Sequence, residues 1–224
     1  MNLSTPQDLP LPGTGRALAH GWERMKSNAL LFFLASLIIV VVDYPLQQSG
    51  GDESTSPTIA LLLMAYALLF APVLKFGTDL IFLRGVRGEP VLIKTVFVGF
   101  ERYVDIILAN LLVFGLIFIG FVALIIPGIY VACRLVFTSY LVMDEGLDPI
   151  AAVEGSWRMT QGHTWQIFWL GLLSILIFCC GIMLLIVGLF PALMWAKASF
   201  ASLYLAISAE GAAQNRAAQG VLPE

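Results

Sequence analysis

The chain has 224 residues, 59% of them hydrophobic and 12% charged, with a formal net charge of −3 and a mean hydropathy of +0.89. A soluble domain carries about 25% charged residues, so half that value leaves too little polar surface for a water-exposed body and points to a membrane. The basic residues are scattered, which excludes a nucleic-acid-binding face. Cys133, Cys179 and Cys180 lie in apolar stretches and read as small buried hydrophobes, with neither a disulfide pattern nor metal-ligand spacing. The polar first 28 residues and the long apolar run behind them do not read as a cleavable signal.

Near the N-terminus, Leu18, Trp22 and Met25 recur at helical spacing beside the motif Gly21-Trp22-Glu23-Arg24. That pattern predicts an amphipathic helix lying in the headgroup plane. The apolar run at 28–46 then approaches the roughly 20 residues needed to cross a hydrocarbon core of about 30 Å. A loop at 47–57, rich in Ser, Gly and acid and free of Lys and Arg, leads to a second crossing at 58–83. Pro72 stands inside that crossing and deletes a backbone donor, which predicts a kink.

Pro90 opens a second amphipathic segment, with Leu92, Val96 and Tyr103 on one stripe and Gly99-Phe100-Glu101-Arg102 at its end. Residues 103–125 and 127–143 supply a third and fourth crossing, joined by a tight turn at Pro127-Gly128. Asp148-Pro149 places an N-cap acid before a proline at the first helical position of a third amphipathic helix. Ile150, Val153 and Trp157 recur along it, and the motif reappears as Ser156-Trp157-Arg158-Met159. Residues 165–189 and 190–209 supply the last two crossings, broken at Pro191. Ala198, Ser202 and Ala206 form a small-residue stripe suited to close helix approach.

The expected fold is therefore an all-α integral membrane protein with six transmembrane helices. They form three helix-pair repeats, at about 14–83, 88–143 and 148–209, each opened by a cytoplasmic amphipathic helix. Residues 1–209 form a single membrane domain, and 210–224 a short polar cytoplasmic tail. Trp22, Phe100 and Trp157 are the expected interfacial anchors. Arg16, Arg24 and Lys26 precede the first crossing, and Arg84, Arg87, Lys94 and Arg102 join the second to the third. Arg158 and Arg216 fall in the next connection and the tail, while the intervening loops have no Lys or Arg. The positive-inside rule then puts both termini in the cytoplasm.

The stretch 126–173 contains Ile126-Pro-Gly-Ile129, Arg134 in an apolar run, Asp144-Glu145-Gly146, Ala151-Ala152 and Ser156-Trp157-Arg158. Together with Arg87-Gly88-Glu89-Pro90, Phe97 and Gly99, it resembles a bacterial family of multi-pass membrane proteins of unknown function. That family includes the YciC-type inner-membrane proteins and the membrane domain attached to some glycerophosphodiester phosphodiesterases. The resemblance implies a bacterial inner-membrane location. It carries over no catalysis, because the phosphodiesterase barrel is a separate soluble domain and only a short polar tail follows Ala209 here.

Charges inside a bilayer cost a few kcal/mol each on insertion scales and need a partner or a role. Lys75, Arg134 and Lys197 each follow a proline on the second helix of a pair. One reading places them around a central pocket that binds an anion such as a lipid headgroup, since guanidinium and ammonium groups suit phosphate. The structural alternative pairs Lys75 with Asp79 one turn away, pairs Arg134 with Asp105, and lets Lys197 snorkel. Asp144, Glu145 and Asp148 form an acidic turn, but it lacks the spacing of a metal site and Asp148 serves as a cap. No HExxH, Gly-x-Ser-x-Gly or glycine-rich phosphate loop occurs.

The expected function is thus a non-enzymatic, lipid-linked or envelope-accessory membrane protein with no metal or cofactor. Its expected partners are membrane lipids, with another membrane protein or a second copy as a further partner, and no nucleic acid. A small transporter or channel for an anionic or amphiphilic solute is the first alternative. A membrane enzyme acting on lipid headgroups is the second.

Overall fold

A computed structural model describes residues 13–48, 56–90, 92–183 and 186–218. Most of the acidic loop expected at 47–57 and the end of the tail lie outside the described residues. The elements, in order, are α1 (Thr14–Ser27), α2 (Ala29–Gln48), α3 (Pro57–Leu69), α4 (Ala71–Arg87) and a 3₁₀ helix (Ile93–Arg102). They continue as α5 (Tyr103–Ala123), α6 (Ile125–Leu135), the single turn α7 (Thr138–Tyr140), a π-helical stretch (Leu141–Glu145), α8 (Pro149–Met159), α9 (Thr164–Met183) and α10 (Ile186–Ala218). No strand occurs among the described residues.

Five stretches are long and apolar enough to cross a bilayer: Pro57–Arg87, Lys94–Ala123, Ile125–Glu145, Thr164–Met183 and Gly188–Gln214. A sixth is reached when Thr14–Ser27 and Ala29–Pro45, bent by 102° at their junction, are counted together. The protein is therefore all-helical, with five to six helices able to span a membrane.

The prolines differ in their effects. At Pro72 the span Pro57–Arg87 is interrupted by one residue, Phe70, whose backbone stays in the right-handed region, and Pro72 becomes the second residue of α4. The turn between α5 and α6 falls at Leu124, in extended backbone, and Pro127 lies in the first turn of α6. Both outcomes follow from one fact: the first-turn N–H groups of a helix have no intrahelical acceptor, so a missing one costs nothing there. Pro191, in contrast, stays inside α10 rather than separating two crossings. Pro90 precedes its helix by three residues, and that segment is 3₁₀ rather than α. Asp148 occupies the N-cap of α8 with extended backbone, but its side chain makes no capping bond.

The amphipathic segments pack against the long helices. α1 lies on α10, the 3₁₀ helix on α4, and α8 on α5 and α6. Small residues permit each approach. A Cβ at Gly21 would come within 2.8 Å of the Ser199 backbone nitrogen, and one at Gly99 within 2.8 Å of the Val73 carbonyl oxygen. In the third case Ser156 is buried and donates to the Arg134 carbonyl at 2.8 Å. The neighbouring aromatics follow the same rule: Trp22 packs on Trp195, Phe100 on Phe70 and Trp157 on Tyr130, with ring centroids 5.0, 5.9 and 6.0 Å apart. On α8 the buried residues are Pro149, Ala152 and Ser156, so Ile150 and Trp157 point outward.

Interior and exterior are divided by helix. Thirteen of the 17 residues of α4 are buried, and α10 is buried almost continuously from Ala201 to Ile207. Phe137, Tyr140 and Tyr204 pack against one another, the two tyrosine rings 5.1 Å apart. The stripe of Ala198, Ser202 and Ala206 is fully buried. α5 and α9 surround this centre and bury four residues each.

Candidate functional site

The central helices carry the ionisable groups, and most of these are paired. Asp79 on α4 accepts from Lys197 Nζ on α10 at 2.6 Å. Lys75, one turn earlier on α4, reaches Asp43 of α2 at 2.7 Å. The intrahelical pair expected between Lys75 and Asp79 is thus replaced by two interhelical pairs, and Lys197 pairs rather than snorkels. An i,i+4 spacing makes a pair geometrically possible, but a partner on a facing helix offers a straighter reach and a drier setting.

Arg134 is only 3% exposed. Its guanidinium lies over the Trp157 ring at 4.5 Å and near the Tyr130 ring at 5.7 Å. Its Nε has no hydrogen-bond partner among the described residues. Asp105, expected as its counter-ion, is taken by Arg102 at 2.9 Å. An aromatic face can stand in for a carboxylate because the ring quadrupole attracts a cation, by about 0.5–2 kcal/mol. The Arg134 carbonyl also accepts from Ser156 and Thr160, which ties α6 to α8.

The three cations therefore have three separate environments rather than one common pocket. Counted from the aromatics that receive Trp22, Phe100 and Trp157, they sit at unequal positions: Lys197 two residues after Trp195, Arg134 four after Tyr130, Lys75 five after Phe70.

Toward the loop ends, Arg87 grips Asp144 with both terminal nitrogens. The Tyr204 hydroxyl donates to Glu145 at 3.2 Å and faces Asp144 at 3.4 Å. The acidic turn is thus occupied by Arg87 and Tyr204, and among the described residues no group of three His, Cys, Asp or Glu is arranged to hold a metal ion. His163 pairs with Glu210 at 3.2 Å, and His20 is 3.1 Å from the Ser202 hydroxyl. Gly88 and Gly146 close α4 and the π-helical stretch in left-handed backbone, at φ 78° and 68°. A Cβ there would crowd Arg24 and Arg102, at 3.2 and 3.0 Å. Those two arginines stand where a helix C-terminus concentrates negative partial charge.

Beside the Asp79–Lys197 pair is a cavity of about 440 Å³. Its walls come from α9 (Ser174, Ile175, Phe178, Cys179), α10 (Leu193, Ala196, Phe200) and the α6–α7 junction (Val136, Ser139, Tyr140). Ile175 is 60% exposed and Cys179 is exposed, so the cavity opens sideways across the outer surface of α9. Its volume falls within the roughly 300–1,000 Å³ of small-ligand sites. An apolar chamber with one part-buried ion pair can hold an amphiphile, with its chain on the apolar walls and its head at the charges.

Sequence reasoning singled out Lys197 and Asp79 but missed their mutual pairing, Asp43 and Tyr140. Asp43 carried a usable signal, as the lone charged residue of α2; Tyr140 carried none, being one apolar-run tyrosine among several. Comparison of the chain with protein-family models, curated proteins and solved structures finds no match.

Proposed function

We propose that the protein is a non-enzymatic multi-pass membrane protein that holds an anionic amphiphile, a lipid or lipid-like molecule, in the lateral pocket beside Asp79 and Lys197. One observation carries this reading: an apolar cavity of about 440 Å³, open beside exposed residues of α9, has a part-buried ion pair as its charged feature. The anion site moves from three converging cations to Lys197 alone.

Three helix-pair repeats around a common centre remain part of this proposal. The motif residues support it, since Gly21, Gly99 and Ser156 each touch the second helix of another pair, and Trp22, Phe100 and Trp157 each pack against an aromatic there. A bacterial inner-membrane location with both termini cytoplasmic is supported by the Lys and Arg distribution and by the motifs shared with the YciC-like family. Membrane lipids are the proposed partners, with a second membrane protein or a second copy as a further one.

A transport reading has one specific observation in its favour. Asp79 lies eight residues before Arg87 on α4, about 12 Å deeper along the helix. Charged sites at such depth are typical of transporters. Native mass spectrometry of the detergent-purified protein tests the pocket. Wild type should retain a lipid or fatty acid, and Ser139→Phe, which fills the cavity from a half-buried position, should lose it at unchanged melting temperature. Equal retention by the variant would refute the pocket.

A further inference from the structure

We infer that Lys197 is the headgroup-recognition residue of this pocket and that Asp79 is its built-in competitor, so that the site selects amphiphiles with an anionic head. This rests on the lateral-pocket reading above and adds a selectivity device to it.

The two halves of the pair are not equally accessible. The Lys197 side chain is 33% exposed and that of Asp79 11%. The ammonium is therefore the more accessible half of the pair. It repels a cationic head and attracts an anionic one. An ammonium carries three N–H donors, and Asp79 Oδ1 takes one of them. A carboxylate or phosphate oxygen can therefore join Lys197 without first breaking the ion pair. The neighbouring wall reinforces the choice, because Tyr140 and Ser139 line the same chamber with hydroxyl groups able to donate to an anion, while the Ser174 hydroxyl is spent on the Leu170 carbonyl.

Asp79 also sets the strength of the site. With both partners charged the pair is neutral, and the ligand anion meets attraction from Lys197 and repulsion from Asp79 at once. In a low-dielectric setting both terms are large, so neutralising Asp79 converts a moderate site into a tight one. A buried lysine without any counter-ion is costly. Asp79 thus holds the ammonium while the pocket is empty and yields part of it when an anion arrives. The chemistry common to free fatty acids and monoacyl phosphates, an anionic head on an apolar chain, satisfies this arrangement.

The test is native mass spectrometry of the full chain in a non-ionic detergent, titrated with oleate, 1-oleoyl lysophosphatidate and uncharged monoolein. Wild type should bind at least one of the two anions about tenfold more tightly than monoolein. Asp79→Asn should strengthen that anion's binding by a further factor of about ten. Lys197→Met should abolish the preference while leaving monoolein unchanged. Should that variant unfold, Asp79→Asn/Lys197→Met keeps a neutral pair of similar shape and serves the same purpose. Oleate binding without lysophosphatidate would mark a carboxylate site, and the reverse a phosphate site; either supports the inference. Equal affinity of wild type for monoolein and both anions would overturn it while leaving the pocket intact. Failure of Ser139→Phe to weaken any of the three would instead bring down the pocket itself.

Discussion

α4 and α5 are both long, mainly apolar helices, yet α4 buries 13 of its 17 residues and α5 four of its 21. The buried helix is the more polar of the two. α4 carries Lys75, Asp79, Arg84 and Arg87, whereas α5 has Asp105 alone, in its first turn. In water the more apolar helix goes inside. Here the order is reversed, because lipid solvates Leu and Phe as well as a protein interior does and cannot solvate an ion. The pairs Lys75–Asp43 and Lys197–Asp79 are thus reasons for α4 to be central, and the bare apolar faces of α5 and α9 are reasons for them to be peripheral.

The contrast can be broken most directly at its charged centre. Asp79→Ala leaves Lys197, 33% exposed, without its partner and should lower stability by at most about 3–5 kcal/mol, the cost in a fully buried pair, read as a fall in unfolding midpoint in detergent. Asp79→Asn/Lys197→Met should recover most of that loss; no recovery would mean that the stranded ammonium is not the cause.

On the periphery, Phe118 is 60% exposed on α5. Phe118→Lys should raise the insertion cost of that helix by about 2.5–3.5 kcal/mol, visible as reduced integration in a membrane-insertion assay. Wild-type integration would argue that this face does not meet hydrocarbon.

Two glycines sharpen the comparison at smaller amplitude. A Cβ at Gly77 on α4 would lie 2.2 Å from the Val96 carbonyl oxygen, whereas Gly115 on α5 has nothing within 4 Å. Gly77→Ala should therefore cost about 1–3 kcal/mol, and Gly115→Ala should be neutral or gain up to about 1 kcal/mol from helix propensity. Equal effects on the unfolding midpoint would erase the distinction between the two helices. The smallest effect belongs to Arg134. Trp157→Leu removes the nearer aromatic face and should cost about 0.5–2 kcal/mol. That loss should vanish when measured in an Arg134→Met background.

Much of the architecture was legible because it depends on solvent preference summed over many residues. The helical class, the apolar lengths and the amphipathic segments ahead of α2, α5 and α9 all follow from composition and period. Pro127 misled because a proline's effect depends on its position within a helix, and the start of α6 is set by where Leu124 turns the chain. The motif aromatics were expected as interfacial anchors, but their seats on Trp195, Phe70 and Tyr130 belong to helices of other pairs.

By itself the sequence determined that this chain is helical, that a bilayer is its solvent, and that Lys75, Arg134 and Lys197 need partners. Only the tertiary structure decided who those partners are: Asp43, the Trp157 ring and Asp79. The reason is geometric. Hydrophobic burial is a sum over residues and survives ignorance of the neighbours, while an ion pair needs two atoms within about 4 Å. That distance exists only once helices from different parts of the chain have been set against one another.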